Sequence, residues 1–160
     1  MTLKNIYSQT IVIANKYDIF NADEETLDEA WKITEVHNAA WYEQSERTVT
    51  PTGVIFGKYS KILIPFSPNY IHKFEITVIG KGRYNSFVED TNTYTMRIGD
   101  YILCMPNGIQ FDGMSVTDLG GITAWVNSYR AQGFSVMQVK DFKELYNRGG
   151  SIVQLSIDGV

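Results

Sequence analysis

The sequence predicts a mainly β domain, a small β-barrel or sandwich of about eight short strands with one added α-helix at about residues 117–133. Three observations predict this class. Apolar and polar residues alternate in several short segments, as they do in half-buried strands. Glycine and proline residues separate these segments. Aromatic residues, 13% of the chain, favour pleated surfaces on which their rings pack against neighbouring strands.

Length and composition predict one domain with a core of its own. The chain has 160 residues, of which 44% are hydrophobic, and no repeat or linker divides it. We therefore expect a single β-barrel-like domain over 1–160, with a loop insertion around 81–92 and a helical insertion around 117–133. The net charge of -4 gives no electrostatic reason for wrapping nucleic acid, because such binding depends on Lys and Arg.

The first strands are predicted by their apolar residues. The cluster Ile11-Val12-Ile13 indicates a strand near the N-terminus. Cap residues and acids in 21–30 suit either one helical turn or an acidic loop. The stretch 31–42 is apolar on alternating positions that change face once, which predicts a long strand with a bulge.

The middle of the chain reads as short strands divided by turns. Pro51 and Gly53 predict a loop over 43–53. Gly99-Asp100 predicts a tight turn. Alternation or apolar runs predict strands at residues 54–56, 61–65, 74–78, 94–98 and 101–105.

One segment has the spacing of an amphipathic helix. Its apolar residues recur at i, i+3, i+4 and i+7, namely Ile122, Trp125, Val126 and Tyr129. Thr117 or Asp118 is a candidate N-cap, and Gly133 stands where a C-terminal glycine belongs. This aromatic stripe indicates core packing rather than a ligand site. Strands at 134–139 and 153–157 follow, with a polar loop predicted at 141–150.

Residues that carry chemistry are sparse. The two histidines, His37 and His72, have no partners at zinc-site spacing, and no serine lies in a nucleophile elbow. Cys104 follows Ile102 and Leu103, which predicts an apolar thiol inside a strand. We therefore expect no catalytic, cofactor-binding or metal-binding residues and no enzymatic activity. A carboxylate pair assembled from separate strands, as in glycosidases, stays open.

The start of the chain lacks the features of a signal peptide, and no run reaches the roughly 18 apolar residues of a membrane span. With a single cysteine, no disulfide can form within the chain. We expect a protein that is made and used in an aqueous, reducing compartment.

Several segments, in order along most of the chain, resemble a known family. They are Ile11–Tyr17, Trp31–Val36 with the pair Trp41-Tyr42, Lys61–Pro65, Ile98–Ile102, Phe134–Asp141 and Ser151–Gly159. This arrangement is similar to bacteriophage head-tail connector or head-closure proteins, of the stopper or minor capsid type, in phages of Gram-positive bacteria. The chain departs from the family pattern in the helical segment at 117–133 and in the long loop at 81–92.

The resemblance implies a structural protein of a tailed-phage virion neck. Such β-barrels form rings that join the head, through its portal or adaptor ring, to the tail and help to close the DNA channel. The implied partners are the adaptor or portal ring, tail-completion or tail-tube proteins, and further copies of the chain. DNA would pass through the lumen without sequence-specific binding, and no membrane or cofactor is implied. The location would be the virion neck, assembled in the host cytoplasm.

In such a ring the loops form the interfaces. The expected interface residues are Arg83, Tyr84 and Phe87 in the 81–92 loop, and Glu46 and Arg47 in the 43–53 loop. Arginine and aromatic side chains are frequent anchors of protein interfaces.

Two alternatives to this role are open. Within the same class, the chain is a tail-completion or tail-terminator protein. In a different class, it is a sugar- or ligand-binding β-barrel or an enzyme, in which Trp31, Trp41 and Trp125 line one pocket.

Overall fold

A computed structural model describes residues 8–21, 26–65, 70, 79–80, 92–106, 108–145 and 154–159. Strands dominate this part of the chain, with one α-helix, so the predicted mainly β class is confirmed. The elements are β1 (Gln9–Asn21), β2 (Thr26–Thr50), β3 (Gly53–Pro65), β4 (Ile79–Gly80), β5 (Tyr101–Cys104), α1 (Ile122–Ala131), β6 (Ser135–Leu145) and β7 (Gln154–Gly159).

The strand pairings form a closed cycle. Going round it, the order is β1, β2, β3, β7, β6, β5 and back to β1, and every pair in the cycle is antiparallel. The short β4 adds to the end of β1 in parallel. Strands β2 and β6 are long enough to take part in two sheets each, and they join the sheets into a barrel-like unit.

Strand β2 changes its partner at a bulge. Gln9 faces Ala39 while Ile11 faces Val36, so β2 holds one residue more than β1 in this interval. Asn38 lies within it with φ 62°, a left-handed conformation that Asn tolerates better than most residues. From Ala40 onwards β2 pairs with β3. The predicted long strand with a bulge is confirmed.

From Ile11 to Asn15, strand β1 is buried on both faces. Ile11 and Ile13 belong to an inner core that also contains Ile62 and Ile64 of β3. Val12 and Ala14 point to the opposite side, into an outer core of which Leu103, Val116, Trp125, Val126, Tyr129, Phe134 and Val136 are also members. Two-sided burial explains why Ile11–Ala14 is a continuous apolar run rather than an alternating one.

Helix α1 covers the outer core with Trp125, Val126 and Tyr129, the residues of the predicted apolar stripe. It begins at Ile122, later than expected from sequence, because a turn occupies 116–120. Asp118 does not cap the helix, since its carboxylate accepts a hydrogen bond from the Ser115 backbone N–H in that turn. Gly133 follows the helix with φ 90°, as a C-terminal glycine does.

Parts of two predicted loops are strands. Instead of a loop over 43–53, β2 continues to Thr50, a turn occupies Pro51-Thr52, and β3 starts at Gly53. β-branched residues on both sides of this turn favour continued pairing, and Thr50 Oγ1 donates to the Gly53 carbonyl at 2.9 Å. In the same way, β6 runs on to Leu145, so 141–145 is not part of a loop. Residues 26–30 are strand, neither a helical turn nor an acidic loop.

The predicted strand at 94–98 is wrong. Tyr94 forms one isolated bridge with Tyr70, and Thr95 and Met96 are both buried, against the expected alternation. The Thr95 carbonyl accepts a 2.8 Å hydrogen bond from the side-chain amide of Asn15. A side chain thus provides the backbone partner that a neighbouring strand would otherwise supply. The strand predicted at 74–78 lies outside the described residues.

Candidate functional site

A cleft of about 480 Å³ lies beside the end of β1, the start of β2 and the turn that precedes β5. Its lining mixes polar and apolar groups, among them Lys16, Glu29, Trp31, Arg97, Tyr101 and Gln138. Its volume lies within the range of about 300–1,000 Å³ that is typical of small-molecule sites, and polar groups make up more of its lining than apolar ones.

The Asp100 carboxylate forms the base of the cleft and is 1% exposed. Its Oδ2 accepts hydrogen bonds from Asn15 Nδ2 at 2.8 Å and from the Arg97 backbone N–H at 2.9 Å. Its Oδ1 accepts from the Lys16 backbone N–H at 3.1 Å. The carboxylate therefore fastens the turn at 97–100 to the middle of β1.

Arg97 lies against the same carboxylate. Its Nη2 is 3.6 Å from Asp100 Oδ1 and also donates to the Lys16 backbone carbonyl. The turn is held from the other side as well, because Gly99 N donates to the Val139 carbonyl at 2.9 Å. These bonds fix the position of the turn between β1 and β6.

Burial raises the pKa of the Asp100 carboxyl above its ordinary value. The hydrogen bonds from Lys16, Asn15 and Arg97 and the guanidinium charge act in the opposite direction, since each of them favours the ionised form. Desolvation is the largest of these effects.

One wall of the cleft is set by the register of β1 and β2. Lys16 is the direct cross-strand partner of Trp31. Glu29, two residues before Trp31, lies on the same face of β2. The Trp31 indole N–H donates to Glu29 Oε1 at 2.9 Å, and Lys16 Nζ lies 3.2 Å from Glu29 Oε2. The Trp31 ring meets Tyr101 edge to face, with 5.6 Å between centroids. The wall is therefore an aromatic pair bordered by an ion pair.

The described part of the chain contains no cluster of metal ligands, because no three of its His, Cys, Asp or Glu residues lie close enough together to hold an ion. His37 is exposed, with Nε2 at 3.5 Å from a Glu35 oxygen, and Thr10 Oγ1 is 3.2 Å from its Nδ1. Cys104 is buried inside β5, as predicted, and lies in the inner core.

A second candidate surface is the end of the β2–β3 hairpin. Among the described residues, β3 pairs with β7 only from Ser60 to Pro65, and β2 pairs with β1 only up to Ala39. Within the described part of the chain, residues 44–50 and 53–59 pair only with each other, and we call them the β2–β3 ribbon. It is about 24 Å long at the rise of an antiparallel strand. Near its tip, the opposed Val49 and Val54 are 73% and 41% exposed.

Of the five expected interface residues, two lie in the described part of the chain and three lie outside it. Glu46 and Arg47 lie on this ribbon, opposite Gly57 and Phe56, rather than in a loop. Arg83, Tyr84 and Phe87 lie outside the described residues, so their role stays a prediction.

The three tryptophans do not line one pocket, which corrects that expectation. Trp31 borders the cleft, Trp125 is fully buried on the side of α1 that faces the outer core, and Trp41 packs against the inner core. Sequence reasoning singled out neither Lys16 nor Glu29 nor Tyr101 as site residues. Lys16 comes opposite Trp31 through the register of β1 and β2, and no local motif in the sequence marks that register.

Comparison with protein-family models, with curated proteins and with solved structures gave no match. In the described part of the chain, no helix has both the length and the apolar character needed to cross a membrane.

Proposed function

We propose that this chain is a structural protein of a tailed-phage neck, which joins the head to the tail and helps to close the DNA channel. Its partners would be the adaptor or portal ring, a tail-completion or tail-tube protein, and further copies of itself. The proposal is motivated by the sequence segments that resemble connector and head-closure proteins and that follow one another in the same order along the chain. The barrel-like fold is compatible with it.

The observation that carries the proposal is the β2–β3 ribbon. A two-stranded ribbon on its own is at best marginally stable in water. Within the described residues its two outer edges have no strand partner, and apolar Val49 and Val54 are exposed near its tip. Such an element suits insertion into a neighbouring subunit, whose surface supplies the missing backbone and apolar contacts. A head-to-tail contact of this kind generates a ring when its rotation closes.

Charge is consistent with a channel protein. With a net charge of -4, the chain has little attraction for DNA phosphates, and a passing duplex would not be held. Glu46 and Arg47 occupy register positions on the ribbon, so the sequence places one residue of each charge in this element, and opposite charges favour pairing across interfaces. These residues are the interface candidates that the described structure retains.

Removal of the ribbon tests the proposal. In the variant, an Asn-Gly turn replaces residues 44–59 and joins Glu43 to Ser60, which are already cross-strand partners. DNA-filled heads from a phage that lacks the gene are supplied with purified wild-type chain or with this variant. The wild type is expected to restore DNA protected from nuclease and to restore infective particles, whereas the shortened chain binds no heads.

The exposed substitution Asp118→Asn, far from the ribbon in sequence, is the matched control and should restore particles as well as the wild type does. If heads lacking the chain keep their DNA but carry unjoined or overlong tails, the tail-completion role replaces head closure. Infective particles that contain no copy of the chain by mass spectrometry would overturn both roles.

A further inference from the structure

We propose that the cleft beside Trp31 binds a neutral carbohydrate of one or two sugar rings. This inference is independent of the neck role, because it depends on Lys16, Glu29, Trp31 and Tyr101 and on no residue of the β2–β3 ribbon. It narrows the alternative of a ligand-binding barrel to one wall and one ligand class.

The apolar part of the cleft suits the apolar face of a sugar. Trp31 and Tyr101 meet edge to face, so the indole is held at a fixed angle while remaining partly exposed. Aromatic rings carry a negatively polarised face, which attracts the weakly positive C–H bonds on one side of a pyranose. Ile122 and Ile98 extend this apolar border, and Ile98 is 71% exposed.

The polar part of the cleft suits hydroxyl groups. Lys16 Nζ donates and Glu29 accepts, and the two lie 3.2 Å apart with 45% of each side chain exposed. A sugar hydroxyl both donates and accepts, so adjacent hydroxyls can bond to both groups while the ion pair stays together. Gln138 adds an amide that also offers both functions.

The charges of the cleft favour a neutral ligand over an ion. Both of its cations already have carboxylate partners, Lys16 with Glu29 and Arg97 with Asp100. A phosphate or carboxylate ligand would bring further negative charge next to Asp18, Glu29 and Asp100, three acids of the lining. An uncharged polyol brings no such charge.

The site is also largely preformed. The wall is held by the β1–β2 register, and the base is held by the hydrogen bonds of Asp100 to Asn15, Lys16 and Arg97. A ligand that enters therefore orders few additional side chains, which reduces the entropic cost of binding.

Titration of the full-length protein with a panel of neutral sugars tests the inference. The panel contains glucose, galactose, mannose, N-acetylglucosamine, maltose, cellobiose and lactose, and binding is followed by the indole N–H signals in ¹H–¹⁵N NMR spectra. At least one sugar should shift the Trp31 signal saturably and leave that of the buried Trp125 unchanged. Trp31→Ala and Glu29→Gln should each weaken binding by about 10-fold or more, equivalent to the loss of one good contact.

Trp31→Phe keeps an aromatic ring in the wall and should retain part of the affinity, which separates loss of the platform from loss of folding. His37→Ala, a substitution at an exposed residue outside the cleft lining, is the matched control and should bind as the wild type does. The inference is overturned if no sugar moves the Trp31 signal. It is equally overturned if inorganic phosphate or an acidic peptide moves that signal and no sugar does.

Discussion

The side-chain amide of Asn15 donates a 2.8 Å hydrogen bond to the carboxylate of Asp100, which lies 85 positions further along the chain. Both residues are fully or almost fully buried. The same amide nitrogen also donates to the Thr95 carbonyl at 2.8 Å. One polar side chain on the central strand β1 thus organises the segment 95–100, which leads into β5 and of which residues 97–100 line the cleft.

Replacing Asn15 with Leu should destabilise the protein strongly. The variant removes a donor from Asp100 and from the Thr95 carbonyl and leaves both acceptors buried without it. Each hydrogen bond lost from a buried acceptor costs about 1–3 kcal/mol, so the loss of two should lower the free energy of unfolding by about 2–6 kcal/mol. Urea unfolding followed by circular dichroism measures the change. The exposed substitution Asp28→Asn is the control, and an equal effect of both variants would contradict the assigned role of Asn15.

Stability should depend on pH through Asp100. The pKa of this carboxyl is raised on folding from its ordinary value of 3.8, chiefly by burial. At a pH between the two values the native state holds a proton that the unfolded state has lost, so the free energy of unfolding falls as the pH rises. The contribution of Asp100 to the free energy of unfolding is therefore fully present below pH 3.8. It is lost as the pH rises through the pKa of the folded state.

Asp100→Asn isolates this contribution. The variant cannot ionise, and it is expected to be less stable at every pH because its amide group meets the N–H donors of Arg97 and Lys16. The difference in unfolding free energy between the wild type and the variant should narrow as the pH rises above 3.8. Urea titrations at a series of pH values measure this difference. If the difference in unfolding free energy widened with pH instead, the hydrogen bonds to Asp100 would affect its pKa more than desolvation does.

The bulge in β2 makes a separate prediction at Asn38. This residue is exposed and has φ 62°, so a substitution there changes backbone strain with little change in packing. Asn38→Val places a β-branched residue in the left-handed region and should lower the unfolding free energy by about 1–2 kcal/mol. Asn38→Gly should be neutral or slightly stabilising, because glycine adopts this conformation freely. Thermal unfolding of the two variants side by side provides the measurement, and equal midpoints would contradict the strain.

Local pattern predicted the elements whose cause is local. The Gly99-Asp100 turn, the buried Cys104 and the stripe of α1 follow from spacing within a few residues, and the structure confirms each of them. The prediction was wrong where the cause is distant. Residues 94–98 alternate as a strand does, but Asn15 satisfies the Thr95 backbone, and no local signal reports a partner 80 positions away.

At the hairpin around Pro51, a loop was predicted where the structure has strands. Proline and glycine together indicated a loop over 43–53, whereas they mark only a turn at 51–52 within a long hairpin. The cleft escaped prediction for a related reason. Its wall depends on the register between β1 and β2, and a shift of one residue would turn Trp31 to the other face.

Helix α1 provides the last prediction, because the outer core depends on it. Trp125 is 0% exposed and meets Tyr129 at 5.0 Å between ring centroids, and both rings pack with Phe134 and the outer face of β1. Trp125→Ala should lower the free energy of unfolding by about 3–5 kcal/mol, as truncation of a fully buried large aromatic does. Tyr129→Phe keeps the ring and loses only the hydrogen bond from its hydroxyl to Asp112, so its effect should be about 1–3 kcal/mol. Urea unfolding of the two variants, with the partly exposed Trp31→Ala as the comparison, gives the order of effects. If Trp125→Ala were no more destabilising than Trp31→Ala, α1 would be an appendage of the barrel instead of the cover of its outer core.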